Sequence, residues 1–290
     1  MKTSLLFRSR TAVCCGVVLA LLAIYSITAL AQQDSTARFV RYGVFGSAGV
    51  NVHTPQFFYP TPVYNGAIST TGDAPNRIFE PTTSFGWSAG GLVELPIADR
   101  FGLSLRASCS QIGARLVAYE TLKGGFLSLN GQSVSFIDIR IEHSSDMRTL
   151  AHLSVEPYLT YRPLDMIVLY TGAQFAIPTN TSVRSIETIL DANDFTVWSS
   201  NGTKIRSIYQ GTFPTLNILN IGLSGGIGYE VPIDAEKQWI CAFEMFYTGF
   251  LGSLANNIFI YGATVQPGFW SLGTLRAGVS LRYAPFATEK

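Results

Sequence analysis

From residue 41 onward the chain repeatedly alternates apolar and polar side chains with a period of two. Residues 273–283 are the cleanest case. Gly273, Leu275, Ala277, Val279, Leu281 and Tyr283 take one phase, and Thr274, Arg276, Gly278, Ser280 and Arg282 take the other. Successive side chains on a strand point to opposite faces, so this segment is a strand with one apolar face and one polar face. Seven more segments read the same way: 41–53, 85–95, 101–112, 150–162, 167–177, 219–231 and 239–249. They run roughly 10–13 residues, against about 5–6 for an ordinary soluble strand and about 9–11 for a tilted strand that crosses a bilayer.

The connections alternate as well. Pro96 to Arg100, Pro163 to Asp165 and Pro232 to Gln238 are short, Pro-led and contain Asp. The intervening connections are long: 53–84, 117–149, 178–215 and 250–271. Short turns at one end and long loops at the other are the layout of an outer-membrane barrel, and an even strand number leaves both termini at the short-turn end. The expected fold is therefore all-β, an eight-stranded antiparallel up-and-down transmembrane barrel over residues 39–286. Ser133–His143 also reads as extended. One extra spanning strand would put the Pro-led turns on opposite sides, so this segment is expected in a hairpin projecting from the second long loop. Ten strands is the alternative. Aromatics fall in two bands: Phe101, Tyr161, Tyr229, Trp239 and Tyr283 at the short-turn end, and Phe85, Trp87, Phe175 and Tyr247 toward the long loops. Such bands match interfacial girdles. A soluble exported β-sandwich, the competing fold, would instead gather aromatics mid-strand on its core face.

Composition narrows the class further. Charged residues are 13% of the chain, about half the usual ~25%, and the formal net charge is +1. With 47% apolar residues the chain has ample material to bury, which argues against disorder. A sequence pI near 7.7 argues against a nucleic-acid partner. Four Cys in 290 residues exclude a small disulfide scaffold. Past the first thirty residues no apolar run approaches the ~20 needed for a spanning helix. Those first residues read as an export signal. Lys2, Arg8 and Arg10 precede an apolar stretch over 11–30, and Ala29-Leu30-Ala31 is a small-x-small cleavage site. Cleavage after Ala31 leaves a short lead over 32–38 and a net charge of −2. An uncleaved anchor is the alternative. Cys14 and Cys15 lack a convincing lipobox.

The polar phase would line the lumen. It carries Arg41, Arg106, Arg162, Arg276 and Arg282 together with Glu94, Glu156, Glu230 and Glu244. Eight strands leave an interior that side chains nearly fill, and an unpaired charge there is costly. Matched Arg–Glu pairs are expected, either as a salt-bridged plug or as the wall of a small ion-selective passage. Inward Gly43, Gly86, Gly90, Gly102, Gly222, Gly226 and Gly228 would relieve crowding around Arg and Tyr. The Gly222-x-x-Gly225-Gly226-x-Gly228 run precedes no helix and so does not read as a nucleotide loop. Pro157 removes a ladder donor in mid-strand, and a bulge or bend is expected there.

Catalytic signals are weak. The histidines are His53, His143 and His152. His143 beside Ser144, Ser145 and Asp146 is the arrangement nearest to an outer-rim hydrolase. No metal-ligand spacing and no cofactor motif occurs. Cys109 and Cys241 fall on opposite sides of the expected barrel, facing lipid, and act there as small apolar residues. Residues 53–60 and 196–202 place aromatics beside turn formers, suited either to a ligand or to mutual packing.

A family resemblance rests on Leu153-Ser154-Val155-Glu156-Pro157-Tyr158-Leu159-Thr160-Tyr161-Arg162-Pro163 running into Val168-Leu169-Tyr170-Thr171-Gly172-Ala173. Gly91 to Pro96, Gly228 to Pro232 and Arg276 to Tyr283 support it. These segments resemble the small outer-membrane barrels of the Bacteroidetes and Chlorobi type, the PorT-like family. The resemblance covers about Arg38 to Phe286, although Ala287 to Lys290 follow the terminal aromatic. It implies outer-membrane lipid as surroundings, the barrel-assembly machinery as a partner during insertion, and a role in secretion or envelope assembly through the long loops. A porin-like channel and a rim hydrolase are the competing functions.

Overall fold

The computed structural model describes residues 40–56, 79–129, 132–190, 202–213, 216–255, 257–259 and 265–285. The expected signal peptide, the lead over 32–38 and the loop-tip residues 57–60 and 196–201 lie outside the described residues. In chain order the strands are β1 (Arg41–Gln56), β2 (Thr82–Pro96), β3 (Phe101–Gln111), β4 (Arg115–Leu129), β5 (Gln132–Asp146), β6 (Ala151–Leu164), β7 (Ile167–Asn180), β8 (Ser182–Ile189), β9 (Ile205–Thr212), β10 (Asn220–Pro232), β11 (Trp239–Phe250), β12 (Asn257–Phe259), β13 (Val265–Pro267) and β14 (Phe269–Tyr283). No described helix is long and apolar enough to cross a membrane.

Eight strands close into an antiparallel barrel in the order β1-β14-β11-β10-β7-β6-β3-β2. The seam runs from Tyr42 opposite Tyr283 to Gln56 opposite Phe269. Each strand keeps the phase expected from its alternation. Val44, Leu223 and Phe243 point outward with more than half their surface exposed. Thr160, Thr248 and Ser280 point inward and are completely buried. A water-soluble protein rarely leaves so continuous an apolar belt uncovered. Cys109 and Cys241 are free thiols on β3 and β11, which lie four strands apart around the barrel.

Ser133–His143 lies in β5, which pairs with β4 as a hairpin outside the barrel wall, so the ten-stranded alternative falls. The third long connection holds structure that the alternation did not reveal. It supplies β8 and β9, which extend the hairpin into a four-stranded sheet in the order β4-β5-β8-β9. Its inward positions include Ser185 and Glu187, so the apolar side of the alternation is broken. Barrel strands also run further toward the long loops than their alternation does, as in β7 through Asn180 and β14 from Phe269. Backbone pairing persists there past the outward polar residues Thr179 and Ser271.

Of the two accommodations expected at Pro157, the bulge is absent. The β6–β7 register is the same at Val155↔Phe175 and at Tyr158↔Gly172, so no bulge forms at the proline. Pairing simply lapses at the two positions between, and the register shifts lie at the strand ends, between Ala151 and His152 and between Tyr161 and Leu164. Gly172 makes the close approach possible, because a Cβ there would collide with the Pro157 carbonyl oxygen.

The barrel is closed at the long-loop end by an apolar cap. Phe79, Leu116, Met147, Leu150, Leu254 and Trp270 are each at most 2% exposed and form one cluster with Val183 and Leu272. These side chains come from all four long connections and the adjoining strand ends. His53 lies 5.7 Å from the Trp270 ring and His152 lies 6.1 Å from the Phe250 ring, at the base of the cap.

Candidate functional site

Below the cap the lumen holds a connected ion-pair network. Arg282 sits at its centre. Its Nη1 donates to Glu94 Oε2 at 3.0 Å and to Glu230 Oε1 at 2.5 Å. Its Nη2 donates to the Tyr170 hydroxyl at 2.6 Å and to Glu244 Oε1. Arg162 bonds Glu230 through Nε at 3.1 Å and Nη2 at 2.9 Å, and its Nη2 also reaches Glu94. Arg41, 3.6 Å from Glu94 and 3.5 Å from Glu230, completes the layer nearest the short turns.

A second layer surrounds Arg106. Its guanidinium forms a two-pronged pair with Glu244, at 2.9 and 2.6 Å. Four rings enclose the same group: Phe246 at 4.6 Å, Tyr170 at 5.1 Å, Phe45 at 5.2 Å and Tyr158 at 5.7 Å from ring centre to guanidinium carbon. The fork pairs with carboxylate in plane while its faces meet the aromatic quadrupoles. Toward the cap, Arg276 makes a two-pronged pair with Glu156, both contacts at 3.1 Å. Glu156 also accepts from Tyr158 at 2.8 Å, Ser154 at 3.2 Å and Ser108 at 3.3 Å.

The structure thus brings all nine lumen charges named from the sequence into contact with an opposite charge. They come from seven of the eight barrel strands, placed by the polar phase of each and by the barrel register. The aromatic clasp of Phe45, Tyr158 and Phe246 was missed, although Phe45 and Phe246 occupy the polar phase of their strands, a misplaced apolar residue that is itself a signal. Two cavities of about 10 Å³ each lie against Arg276, one of them also against Arg106, with room for roughly one water apiece. Arg282 and Glu94 are each 1% exposed and Arg106 is 2% exposed. Five cations against four anions leave the filling close to charge balance, one positive charge in excess.

The aromatic bands lie on the outward face. Phe101 stacks on Tyr161 and Trp239 leans on Tyr283, both at 4.8 Å, and the Tyr229 hydroxyl donates to the Met166 sulfur at 3.2 Å. Phe85, Phe175 and Tyr247 are exposed, and Trp87 donates from its ring nitrogen to Gln111 at 2.6 Å. From Trp239 to Tyr247 along β11 the two bands are roughly 20 Å apart in height, taking ~3.3 Å per residue and a ~40° tilt.

The rim residues take other partners than their order in the sequence suggests. His143 faces Glu187 of β8 at 3.2 Å rather than Asp146, and Arg206 of β9 holds the same carboxylate at 2.6 Å. Ser145 and Ser185 are hydrogen-bonded to each other at 2.9 Å. Asp146 is taken up by Arg148, whose Nε and Nη2 reach it at 3.0 and 2.6 Å and hold its carboxyl below the ordinary range. Among the described residues no cluster of His, Cys, Asp and Glu is arranged to hold a metal ion.

No protein-family model matches the chain, and no curated protein matches its sequence. Solved barrels align with it loosely. Ail, the attachment invasion locus protein of Yersinia pestis, is 10% identical over 85% of this chain and 100% of its own, with a TM-score of 0.31. OprG of Pseudomonas aeruginosa is 11% identical over 85% and 97%, with a TM-score of 0.35. The protease OmpT of Escherichia coli is 8% identical over 88% and 99%, with a TM-score of 0.32. Overlaps this loose, spanning an adhesion-locus protein and a protease, carry no functional argument.

Proposed function

We propose that this chain is an exported barrel of a bacterial outer membrane. There it serves as a closed anchor that presents its four-stranded sheet outside the cell, in an interaction or envelope-assembly role. One observation carries this reading: a belt of exposed apolar side chains, bounded by aromatics, encircles a lumen whose charges are all paired. The belt suits lipid, and the paired lumen suits a wall that bears load without conducting. Cleavage after Ala31, insertion by the barrel-assembly machinery and a PorT-like partnership in secretion belong to the same proposal. A porin-like passage is disfavoured by the enclosed Arg282, and a rim hydrolase by the engagement of Ser145 with Ser185 and of Asp146 with Arg148.

The test is cell fractionation with gel migration before and after boiling. The protein is expected in the outer membrane, running faster unboiled than boiled, with a mature N-terminus at Gln32. Recovery from the soluble periplasm overturns the reading.

A further inference from the structure

The four-stranded sheet carries a groove of about 670 Å³ at its base, where β5, β8 and β9 leave the barrel wall. Period-two alternation sets its floor. Arg184 of β8 lies opposite Asp146 of β5 on one side and Gln210 of β9 on the other. Ser182 and Thr212 form the next pair on the same face, and Arg148 closes the side from the β5–β6 turn. The opposite face of β8 at Val183 is buried in the apolar cap, so the groove face is the free one.

Its chemistry is specific. Asp146 engages Arg148 through Nε and Nη2, and Nη1 takes no part in that pair. Arg184 is exposed and makes no ion pair among the described residues. With two guanidinium groups against one carboxylate, the groove is net positive. Thr149, Ser182, Thr212 and Gln210 add hydroxyl and amide groups, Val183 and Gly211 complete the lining, and it holds no aromatic ring. The volume falls in the range of small-ligand sites and far exceeds a lone phosphate. Guanidinium forks favour phosphate or carboxylate oxygens, and hydroxyls and amides favour sugar hydroxyls.

Height adds a second, independent argument. The last barrel pair below the groove is Ala151↔Asn180, and the outer aromatic Phe175 lies on the same strand. At ~3.3 Å per residue and a ~40° tilt, the groove begins roughly 10–15 Å beyond that aromatic level. This is the zone of the headgroups and their sugars in the outer leaflet.

We infer that the groove between Arg148, Arg184 and Gln210 binds a phosphorylated saccharide, either the headgroup of a surrounding glycolipid or a free oligosaccharide. Its height rests on the outer-membrane reading, whereas its chemistry does not.

The test uses the full barrel in detergent micelles, its folding verified by gel migration before and after boiling. The probe is fully deacylated lipopolysaccharide oligosaccharide with its glucosamine phosphates intact, followed by calorimetry. Saturable binding is expected. Arg148→Ala together with Arg184→Ala weakens it at least tenfold, as does enzymatic removal of the phosphates, whereas Arg100→Ala at the short-turn end leaves it unchanged. In nanodiscs, loss of oligosaccharide binding when lipopolysaccharide is present in the bilayer assigns the ligand to the glycolipid. Retained binding assigns it to a free saccharide. Absent binding, or equal affinity of the folded double variant, overturns the groove while leaving the membrane reading intact. Recovery of the protein from the periplasm overturns the membrane reading while the micelle measurement still stands.

Discussion

Arg282 is fully enclosed and touches Glu94, Glu230, Glu244 and the Tyr170 hydroxyl. A buried pair contributes little beyond an apolar substitute, but removing one partner strands the others. Arg282→Leu leaves three carboxylates around one missing cation, with Arg162 and Arg106 still in place to share them. The expected cost is about 3–5 kcal/mol, read as a lower urea midpoint for the folded barrel in micelles. Arg282→Lys keeps the charge and loses the fork, and is expected to fall between the variant and the parent. A parental midpoint for Arg282→Leu would show that the network contributes no stability. At this scale the sequence was legible wherever phase alone decides direction, as it does for the nine charges. Phe45 and Phe246 escaped because the polar phase was read as wholly polar. They are inward because Arg106 presents two apolar-tolerant faces that aromatic rings can cover.

Strands are the scale at which lipid and lumen are told apart. Val279 lies on β14 midway between the level of Tyr283, opposite Trp239, and that of Leu275, opposite Tyr247. Its side chain is outward and exposed, while the next residue, Ser280, is buried beside the Arg282 Nε at 3.2 Å. Val279→Arg therefore places a cation near the middle of the apolar belt, at an expected cost of about 2–4 kcal/mol, with reduced folding into vesicles. Ser280→Asp adds an anion next to an arginine and is expected to fold nearly as well as the parent. Equal folding of the two, measured by the fraction running in the compact unboiled form, would contradict the assigned faces. The same period-two rule made all eight barrel strands and the projecting hairpin readable. It failed for β8, because its inward row includes Ser185 and Glu187, whose partners Ser145 and His143 lie on β5 and Arg206 on β9. A polar row satisfied across strands gives no hydropathy signal. It failed at Pro157 for a different reason: the relief lies on the neighbouring strand, at Gly172, rather than in a bulge on its own.

For the whole molecule, two unlike barriers stand in series along the barrel axis. The apolar cap around Trp270 excludes water at one end, and the ion-pair layers fill the lumen below it. The low charge content follows from this architecture. Half of each spanning strand can carry no charge, and the charges that remain within strands must meet opposite partners inside. A cap alone or a plug alone would suffice to stop ions, so either can be removed without opening a path. In planar bilayers the parent is expected to show no steady conductance. Trp270→Ala removes the largest buried side chain of the cap but leaves Arg106, Glu244 and Arg282 interlocked beneath it, and is expected to stay silent. Arg106→Ala combined with Glu244→Ala deletes a pair without stranding either charge of that pair, and the cap above still excludes water. All three substitutions together still leave Arg282 and Arg162 interlocked with Glu94 and Glu230 toward the short turns, so that variant too is expected to stay silent. Steady channels in the parent would instead place a continuous path through the ion-pair layers and return the charged lumen to the role of a selective pore.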